Sequence, residues 1–183
     1  MVMPPMGFPS IEQLDRMPAA DFAIAVAPLF EGAPPLLDRL AGARAFESFD
    51  VLFDRAREIA HSLPEPDQVA LVNAHPRLGA AATGISAMSF HEQGYDRDPG
   101  GAGEERVAQE LERLNDAYEA KLGFRYCVFV AGRSREELLP DMRAALDQPR
   151  EAELSRALDA VVDIARDRLR SMAVGDEGWA AEG

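Results

Sequence analysis

The sequence predicts an all-α fold, a single compact multi-helix domain of about eight helices. Apolar residues recur every three or four positions over most of the chain, which is the spacing of amphipathic helices. Serine or aspartate stands before several of these stretches, and proline or glycine follows them, as at helix ends. One run, 124–132, is aromatic and β-branched like a strand, but a single strand cannot form a sheet.

The first part of the chain is predicted to contain five helices, each bounded by a capping residue or a proline. They cover residues 11–17, 22–30, 36–42, 48–63 and 66–74. Ser10 can cap the first helix and Asp21 the second. Pro64 stops the fourth. Pro76 closes the fifth because the residue before a proline, here His75, is pushed out of the α region.

The second part is predicted to hold four helices around the strand-like run. One opens at Ser89, and the others cover 104–122, 134–146 and 150–172. Ser89 with Glu92, and Ser134 with Glu137, fit capping boxes, and Gly123 is a natural helix stop. The run 124–132 is predicted to be a buried extended crossing between helices, in which Cys127 is a small buried hydrophobic residue.

Length and composition favour one domain. The 183 residues, 47% of them apolar, suffice for a proper core. We expect a domain over 10–173 between flexible ends at 1–9 and 174–183. No apolar run approaches the roughly 18 to 20 residues of a membrane span. The first residues lack a basic secretory n-region, and the single cysteine fits a reducing compartment, so a cytoplasmic location is expected.

The formal charge of −13 argues against nucleic acid or an anionic membrane as a partner. An anionic small substrate would need a local cationic pocket. Of the 19 basic residues only Lys121 is a lysine, and arginine can fork onto a carboxylate or planar amide. Neither metal-ligand spacing nor a nucleotide-binding motif occurs, so we expect no metal and no cofactor.

The stretch 74–96 gathers two of the three histidines beside a Glu-Gln pair. His75 is either a general acid/base or a histidine satisfied by a carbonyl at a helix end. Ser89 and Glu92 fit a capping box, and the same helix start could bind an anion. Gln93 offers the donor and acceptor that suit a ureido or lactam edge.

Two arginines are further candidates. Arg133 follows Ala131-Gly132, where a ligand can approach the backbone closely. Arg168 lies beside the apolar face of the last helix, so it either snorkels to solvent or points into a pocket. Spacing does not decide between these alternatives.

As an ordered set, the motifs resemble the 2-oxo-4-hydroxy-4-carboxy-5-ureidoimidazoline (OHCU) decarboxylase family over roughly 11–169. The tail pattern E-x6-L-x5-I-x3-RL begins at Glu151 or Glu153 and ends at Leu169. The other matching segments are LFEGAPPLLDRL (29–40), RAFESFDVLFDRA (44–56), NAHPRLG (73–79), SFHEQ (89–93) and LNDAYEAKLGFRYCVFVAGRS (114–134). The chain departs from the family's usual residues at Ala45 and Leu122, and at Arg125-Tyr126, where Pro-Phe is common.

The resemblance implies an all-α fold of the family's own type, usually a homodimer. It also implies cofactor-independent conversion of the small molecule OHCU to (S)-allantoin, the last step from urate to allantoin. By the same resemblance His75 is the acid/base and Glu92 and Gln93 hold the substrate, with further substrate-binding roles at Pro76, Ser89, Phe124, Val128, Phe129, Arg133 and Arg168. Arg133 could equally be structural. Two alternatives stay open: a related enzyme acting on another ureido or lactam acid, and a catalytically silent helical binding module.

Overall fold

The computed structural model describes residues 8–80 and 102–177, and this part of the chain is helical, as predicted. It contains eight α-helices, one short 3-10 helix at Ala27–Leu29 and no strand. The α-helices are Ile11–Arg16 (α1), Ala19–Val26 (α2), Pro34–Gly42 (α3), Phe49–Ser62 (α4), Glu65–Asn73 (α5), Ala102–Leu122 (α6), Arg135–Ala145 (α7) and Arg150–Glu177 (α8). The helix predicted to open at Ser89 lies outside the described residues.

Local side-chain caps start three of these helices, and two of the caps, at Ser10 and Ser134, are those that the sequence predicts. The Ser10 and Ser134 hydroxyls accept from the third backbone N–H of α1 and α7, and the side chains of Gln13 and Glu137 bond back to complete capping boxes. Ser48 caps α4 by accepting from the N–H of Val51. Each cap satisfies a backbone donor that the first turn leaves without a helical partner.

The predicted cap at Asp21 is wrong. Helix α2 begins at Ala19 with Pro18 at the N-cap, so Asp21 lies inside the first turn. A carboxylate there still interacts favourably with the positive end of the helix dipole. The sequence pattern suggests the later start because Asp is a common capping residue, whereas Pro18 carries no side-chain acceptor.

The described residues fall into two compact units. Those up to Leu71 and from Val161 onward form the first unit, and Val72–Ala160 form the second. The largest fully buried apolar side chains of the first unit are Phe22, Phe30, Phe46, Phe53, Leu14, Leu29, Leu36, Leu40 and Leu52. Within it the Phe22 and Phe46 rings are 5.9 Å apart, and the Arg166 guanidinium lies 5.3 Å from the Phe53 ring.

In the second unit, Tyr118 of α6 meets two rings edge to face, at 5.7 Å from Phe124 and 5.2 Å from Tyr126. Both partners belong to residues 124–130, hereafter the crossing segment, which connects α6 to α7 and is neither helix nor strand. Four of its side chains are buried, Phe124, Tyr126, Cys127 and Val130. The predicted burial of the run 124–132 is therefore confirmed for these four residues, including Cys127, whereas Ala131 and Gly132 at its end are exposed.

The predicted flexible ends fall largely outside the described residues. Where they are described, the ring of Phe8 lies 6.2 Å from that of Phe49. Helix α8 continues to Glu177, past the predicted domain end at 173. None of the helices in 8–80 and 102–177 combines the length and apolar character needed to cross a membrane.

Candidate functional site

His75 lies two residues beyond the end of α5, and this residue is only 4% exposed. Its backbone N–H donates to the Val72 carbonyl at 3.1 Å, so the chain makes one more tight turn before leaving the helix axis. The half-buried Pro76 prevents the helix from continuing. The imidazole is therefore carried on a short, backbone-restrained turn in the interior.

Arg125 connects the crossing segment to this turn. Its Nη1 donates to the carbonyl of Asn73 at 2.8 Å and to that of His75 at 3.0 Å. In return, the Asn73 side-chain oxygen accepts the backbone N–H of Arg125 at 2.8 Å. Sequence reasoning treats Arg125 only as a departure from the family pattern, although a charged residue within an apolar run is itself a signal of a specific partner.

The turn after His75 is anchored to α6 by Arg77. Its guanidinium forks onto Glu119, with both nitrogen–oxygen distances 2.7 Å, and a third nitrogen reaches Asp116 at 3.0 Å. The hydrogen bond to Glu119 raises the pKa of Arg77 above its ordinary value. A bidentate fork fixes orientation as well as distance, so it sets the path of the chain beyond the histidine.

Two further contacts explain the end of the HPRLG motif. The buried Asn115 donates from Nδ2 to the Leu78 carbonyl at 2.9 Å. Gly79 has φ +79°, and a Cβ there would lie 2.9 Å from Cδ1 of Leu111. Only glycine fits this backbone conformation so close to α6 without displacing its neighbour. Neither contact is visible in the spacing of the sequence.

A cleft of about 470 Å³ opens beside this turn, lined by residues 77–80 and by Glu105, Gln109, Glu112 and Asn115 of α6. Of the residues predicted to bind substrate, none of those that the structure describes lines it. Sequence reasoning does not find this cleft, because its two walls are distant in the chain and one of them consists mostly of ordinary polar residues of α6.

The crossing segment is held from its other side by α8. Glu153 is 3% exposed and accepts from the Tyr118 hydroxyl at 2.8 Å and from Arg156 at 2.9 Å and 3.0 Å. Arg156 also donates to the Cys127 carbonyl at 2.9 Å and lies 4.8 Å from the Tyr126 ring. The E-x6-L spacing of the tail pattern counts from Glu151, which is exposed, so of the two candidate tail glutamates only Glu153 is buried.

The ionisation of this cluster follows from its burial. Burial, reinforced by the hydrogen bond to Glu153, raises the pKa of Tyr118, so the hydroxyl stays protonated as a donor. Burial also raises the pKa of Tyr126, to about 12. For Arg156 burial is the largest influence and lowers the pKa, but the hydrogen bond to Glu153 and the electrostatic attraction of Tyr126, Glu153 and Tyr118 together outweigh it, so the pKa rises.

Arg133 binds the end of the crossing segment. It donates to the carbonyls of Phe129 at 3.0 Å and Val130 at 3.1 Å, and pairs with Asp141 at 2.7 Å. These contacts give it a structural role, and contact with substrate stays a prediction. Ala131 and Gly132 before it both have positive φ, 52° and 76°, which turns the chain sharply into α7.

Arg168 lies in the first unit and is buried, at 2% exposure, so it does not snorkel to solvent. Its guanidinium donates to the carbonyls of Pro28 at 3.1 Å and Leu29 at 3.4 Å, and pairs with Glu31 at 2.7 Å. The arginine of the tail motif and the glutamate of LFEG are therefore partners. Its contact with substrate also stays a prediction.

The structure thus places six of the ten predicted site residues in the second unit: His75, Pro76, Phe124, Val128, Phe129 and Arg133. Through Arg125 it brings the turn of His75 together with the crossing segment. Arg168 is in the first unit, and Ser89, Glu92 and Gln93 lie outside the described residues. Among the described side chains there is no group of three or more His, Cys, Asp or Glu placed to hold a metal ion.

Two solved structures are similar to this one. A crystal structure of (S)-allantoin synthase matches with a TM-score of 0.61 and 18% identity, covering 90% of this chain and 54% of that one. A crystal structure of OHCU decarboxylase in the presence of (S)-allantoin matches with a TM-score of 0.61 and 19% identity, covering 79% and 94%. This likeness confirms the predicted fold class: the chain is an all-α protein with the fold of OHCU decarboxylases.

A sequence model of the OHCU decarboxylase family matches residues 15–170, and the chain belongs to that family. It is 25% identical over 160 residues to an OHCU decarboxylase of Haloferax volcanii, covering 87% of this chain and 94% of that one. It is 29% identical to a uric acid degradation bifunctional protein of Bacillus subtilis, covering 87% of this chain. The chain spans about a third (32%) of that bifunctional protein's length, and the same share of its counterpart in Bacillus sp. strain TB-90.

Proposed function

We propose that this protein catalyses the cofactor-independent decarboxylation of OHCU to (S)-allantoin in urate degradation. The observation that carries the proposal is the family match over residues 15–170, which contains the complete motif set around His75. The burial of His75 beside an anchored crossing segment supports it. The proposal includes a homodimer, as is usual for the family, and a cytoplasmic location.

The substrate's own bonds can accept the electrons that decarboxylation releases. Its carboxylate and hydroxyl share a ring carbon beside a C=N bond. As the bond to CO2 breaks, its electron pair forms a C=C bond, the C=N pair moves to nitrogen, and that nitrogen takes up a proton. The hydroxyl then loses its proton to become a carbonyl, and the neighbouring carbon is protonated on one face. Two protons are taken up and one is released, so no external electron sink is required.

The protein's work is therefore positioning and proton transfer. His75 handles the proton of the hydroxyl and delivers one to the carbon, which sets the product's handedness. Glu92 orients His75 or grips a ring N–H, and Gln93 reads the ureido or lactam edge. Pro76, Ser89 and the crossing segment around Phe124, Val128 and Phe129 line the pocket, while Arg168, and less directly Arg133, offset the substrate's negative charge.

The test is the rate at which dextrorotatory allantoin forms from freshly oxidised urate, followed by optical rotation with and without protein. Because the intermediate also decays spontaneously, the comparison is between rates. The wild-type protein should accelerate the reaction, and His75→Ala should lower kcat by ~10²–10⁴-fold, the usual contribution of a general acid/base.

His61→Ala is the matched control, because His61 is an exposed histidine on α4. It should retain the wild-type rate. No acceleration by the wild-type protein would refute the decarboxylase proposal and favour a related substrate or a binding module. A wild-type rate in a folded His75→Ala variant would refute only the role of His75 and would leave the decarboxylase proposal in place.

A further inference from the structure

Arg125 makes two hydrogen bonds to Asn73 and one to the His75 carbonyl, and we call these three bonds the Asn73–Arg125 bridge. The bridge joins two parts of the second unit, because Arg125 is 52 residues from Asn73 and 50 from His75. Asn73 is the last residue of α5, where carbonyls lack helical partners. Arg125 supplies donors to two carbonyls there, those of Asn73 and His75. The side-chain oxygen of Asn73 accepts one hydrogen bond from the crossing segment, from the backbone N–H of Arg125.

The geometry restrains both partners at once. Since Arg125 donates from both its backbone N–H and its guanidinium, and Asn73 accepts with both its side chain and its carbonyl, the turn cannot move relative to the crossing segment without breaking bonds at 2.8 Å to 3.0 Å. Arginine suits this role because its guanidinium is planar and permanently charged, so its donors keep a fixed direction. Hydrogen bonds with a charged donor contribute more than neutral ones.

We propose that Arg125 and Asn73 are positioning residues that hold His75 in register with the crossing segment. This inference rests on the proposed function, in which the imidazole and the crossing segment act on one substrate. A productive geometry requires such groups to be held within about 0.5 Å, and a displacement near 1 Å can cost about 10²-fold in rate. Arg125 acts through His75 and is not itself assigned to touch substrate.

The kinetic test compares Arg125→Gln, Arg125→Lys and Asn73→Ala with the wild-type protein. Arg125→Gln should lower kcat by about 10- to 100-fold while KM changes less than about threefold, because orientation is lost rather than substrate contact. Arg125→Lys should recover part of kcat, since an ammonium can donate to one of the two carbonyls. Arg113→Gln is the control: this exposed α6 arginine pairs with Glu110 and should leave kcat unchanged.

A second measurement is independent of the reaction. The chain has three histidines, so the His75 ring signals in a proton–nitrogen NMR spectrum are identified by their loss in His75→Gln. Arg125→Gln and Asn73→Ala should shift those signals and leave the signals of exposed His61 in place. Far-ultraviolet circular dichroism and the melting temperature identify a variant that fails to fold, in which case Arg125→Lys and Asn73→Ala carry the test.

The outcomes separate this inference from the proposed function. Wild-type kcat and unmoved His75 signals in folded Arg125→Gln would overturn the positioning role. A rise in KM with kcat unchanged would overturn it too, by making Arg125 a substrate-binding residue. If the wild-type protein gives no acceleration but the His75 signals still move, the bridge between the two segments stands and the decarboxylase function fails.

Discussion

Gly79 offers a quantitative test of how the chain leaves His75. Replacing it with alanine should destabilise the protein for two separable reasons. At φ +79° a residue with a Cβ is destabilised by roughly 1–2 kcal/mol, the cost of the left-handed conformation. The new methyl group would also lie 2.9 Å from Cδ1 and 3.4 Å from Cβ of Leu111, which is buried and cannot move freely. Overpacking of this kind costs about 1–3 kcal/mol, so the total is about 2–5 kcal/mol.

Two other glycines, which lack the steric clash, serve as comparisons for the conformational and steric costs at Gly79. Gly123 has φ +80° but an added Cβ would meet nothing within 4 Å, so Gly123→Ala should cost only about 1–2 kcal/mol. Gly42 ends α3 with open space around it, and Gly42→Ala should gain up to about 1 kcal/mol through helix propensity. The measurement is the urea midpoint by circular dichroism, compared at equal m-values.

The steric term has its own check in Leu111. Shortening this residue to valine removes the Cδ1 that the new methyl group would strike. The pair Gly79→Ala and Leu111→Val should therefore be less destabilising together than the sum of the single changes, by about 1–2 kcal/mol in a double-mutant cycle. Additive effects, or a Gly79→Ala variant no worse than Gly123→Ala, would refute the close approach of this turn to α6.

Two further predictions concern the cluster at the crossing segment. Glu153→Gln should lower the free energy of unfolding by roughly 2–3 kcal/mol, because charged hydrogen bonds to Tyr118 and Arg156 are weakened. At the exposed Glu151, the change to Gln should alter the free energy of unfolding by less than about 0.5 kcal/mol. Equal urea midpoints for the Glu153→Gln and Glu151→Gln variants would contradict the assignment of Glu153 as the buried tail glutamate. Because the pKa of Tyr126 is raised from 10.0 to about 12 in the folded protein, its contribution is fully present below pH 10 and is lost as pH rises toward 12. Tyr126→Phe should flatten the fall in melting temperature between pH 10 and pH 11.5, and an unchanged slope would count against the raised pKa.

Local chemistry could be predicted because the partners are neighbours in sequence. The caps at Ser10 and Ser134 need only a residue three positions on, and the stop at Gly123 needs only one residue in the left-handed region, here φ 80°. Asp21 shows the limit of this reasoning. It is a good capping residue, but α2 starts about one turn earlier, at Ala19 with Pro18 at the N-cap.

The site was less predictable because its contacts join distant positions. Spacing marks His75 as a candidate but does not reveal that Arg125 reaches its carbonyl from 50 residues away. For Arg168, a position one turn after Ile164 is compatible with either burial or exposure. Its burial depends on the carbonyls of Pro28 and Leu29 and on Glu31, 137 to 140 residues earlier. The family was recognisable only because many weak motifs occur in the right order.

Two arginines, Arg133 and Arg156, hold the backbone of the crossing segment. A buried segment that is neither helix nor strand must still satisfy its backbone groups, and here arginine side chains supply donors to its carbonyls. Arg156 donates to Cys127, and Arg133 donates to both Phe129 and Val130. Each of these guanidinium groups also pairs with a carboxylate, Glu153 or Asp141.

A lysine could neutralise the same carboxylates, but its ammonium cannot present several coplanar donors in fixed directions. The arginines of this segment therefore do more than balance charge. By replacing the neighbouring strands that would otherwise pair with an extended backbone, they keep the crossing segment in a defined conformation although it is neither helix nor strand. That conformation places the half-buried Val128 and Phe129 between the anchored carbonyl groups of Cys127 and Val130, on the segment that the proposed function assigns to the pocket wall.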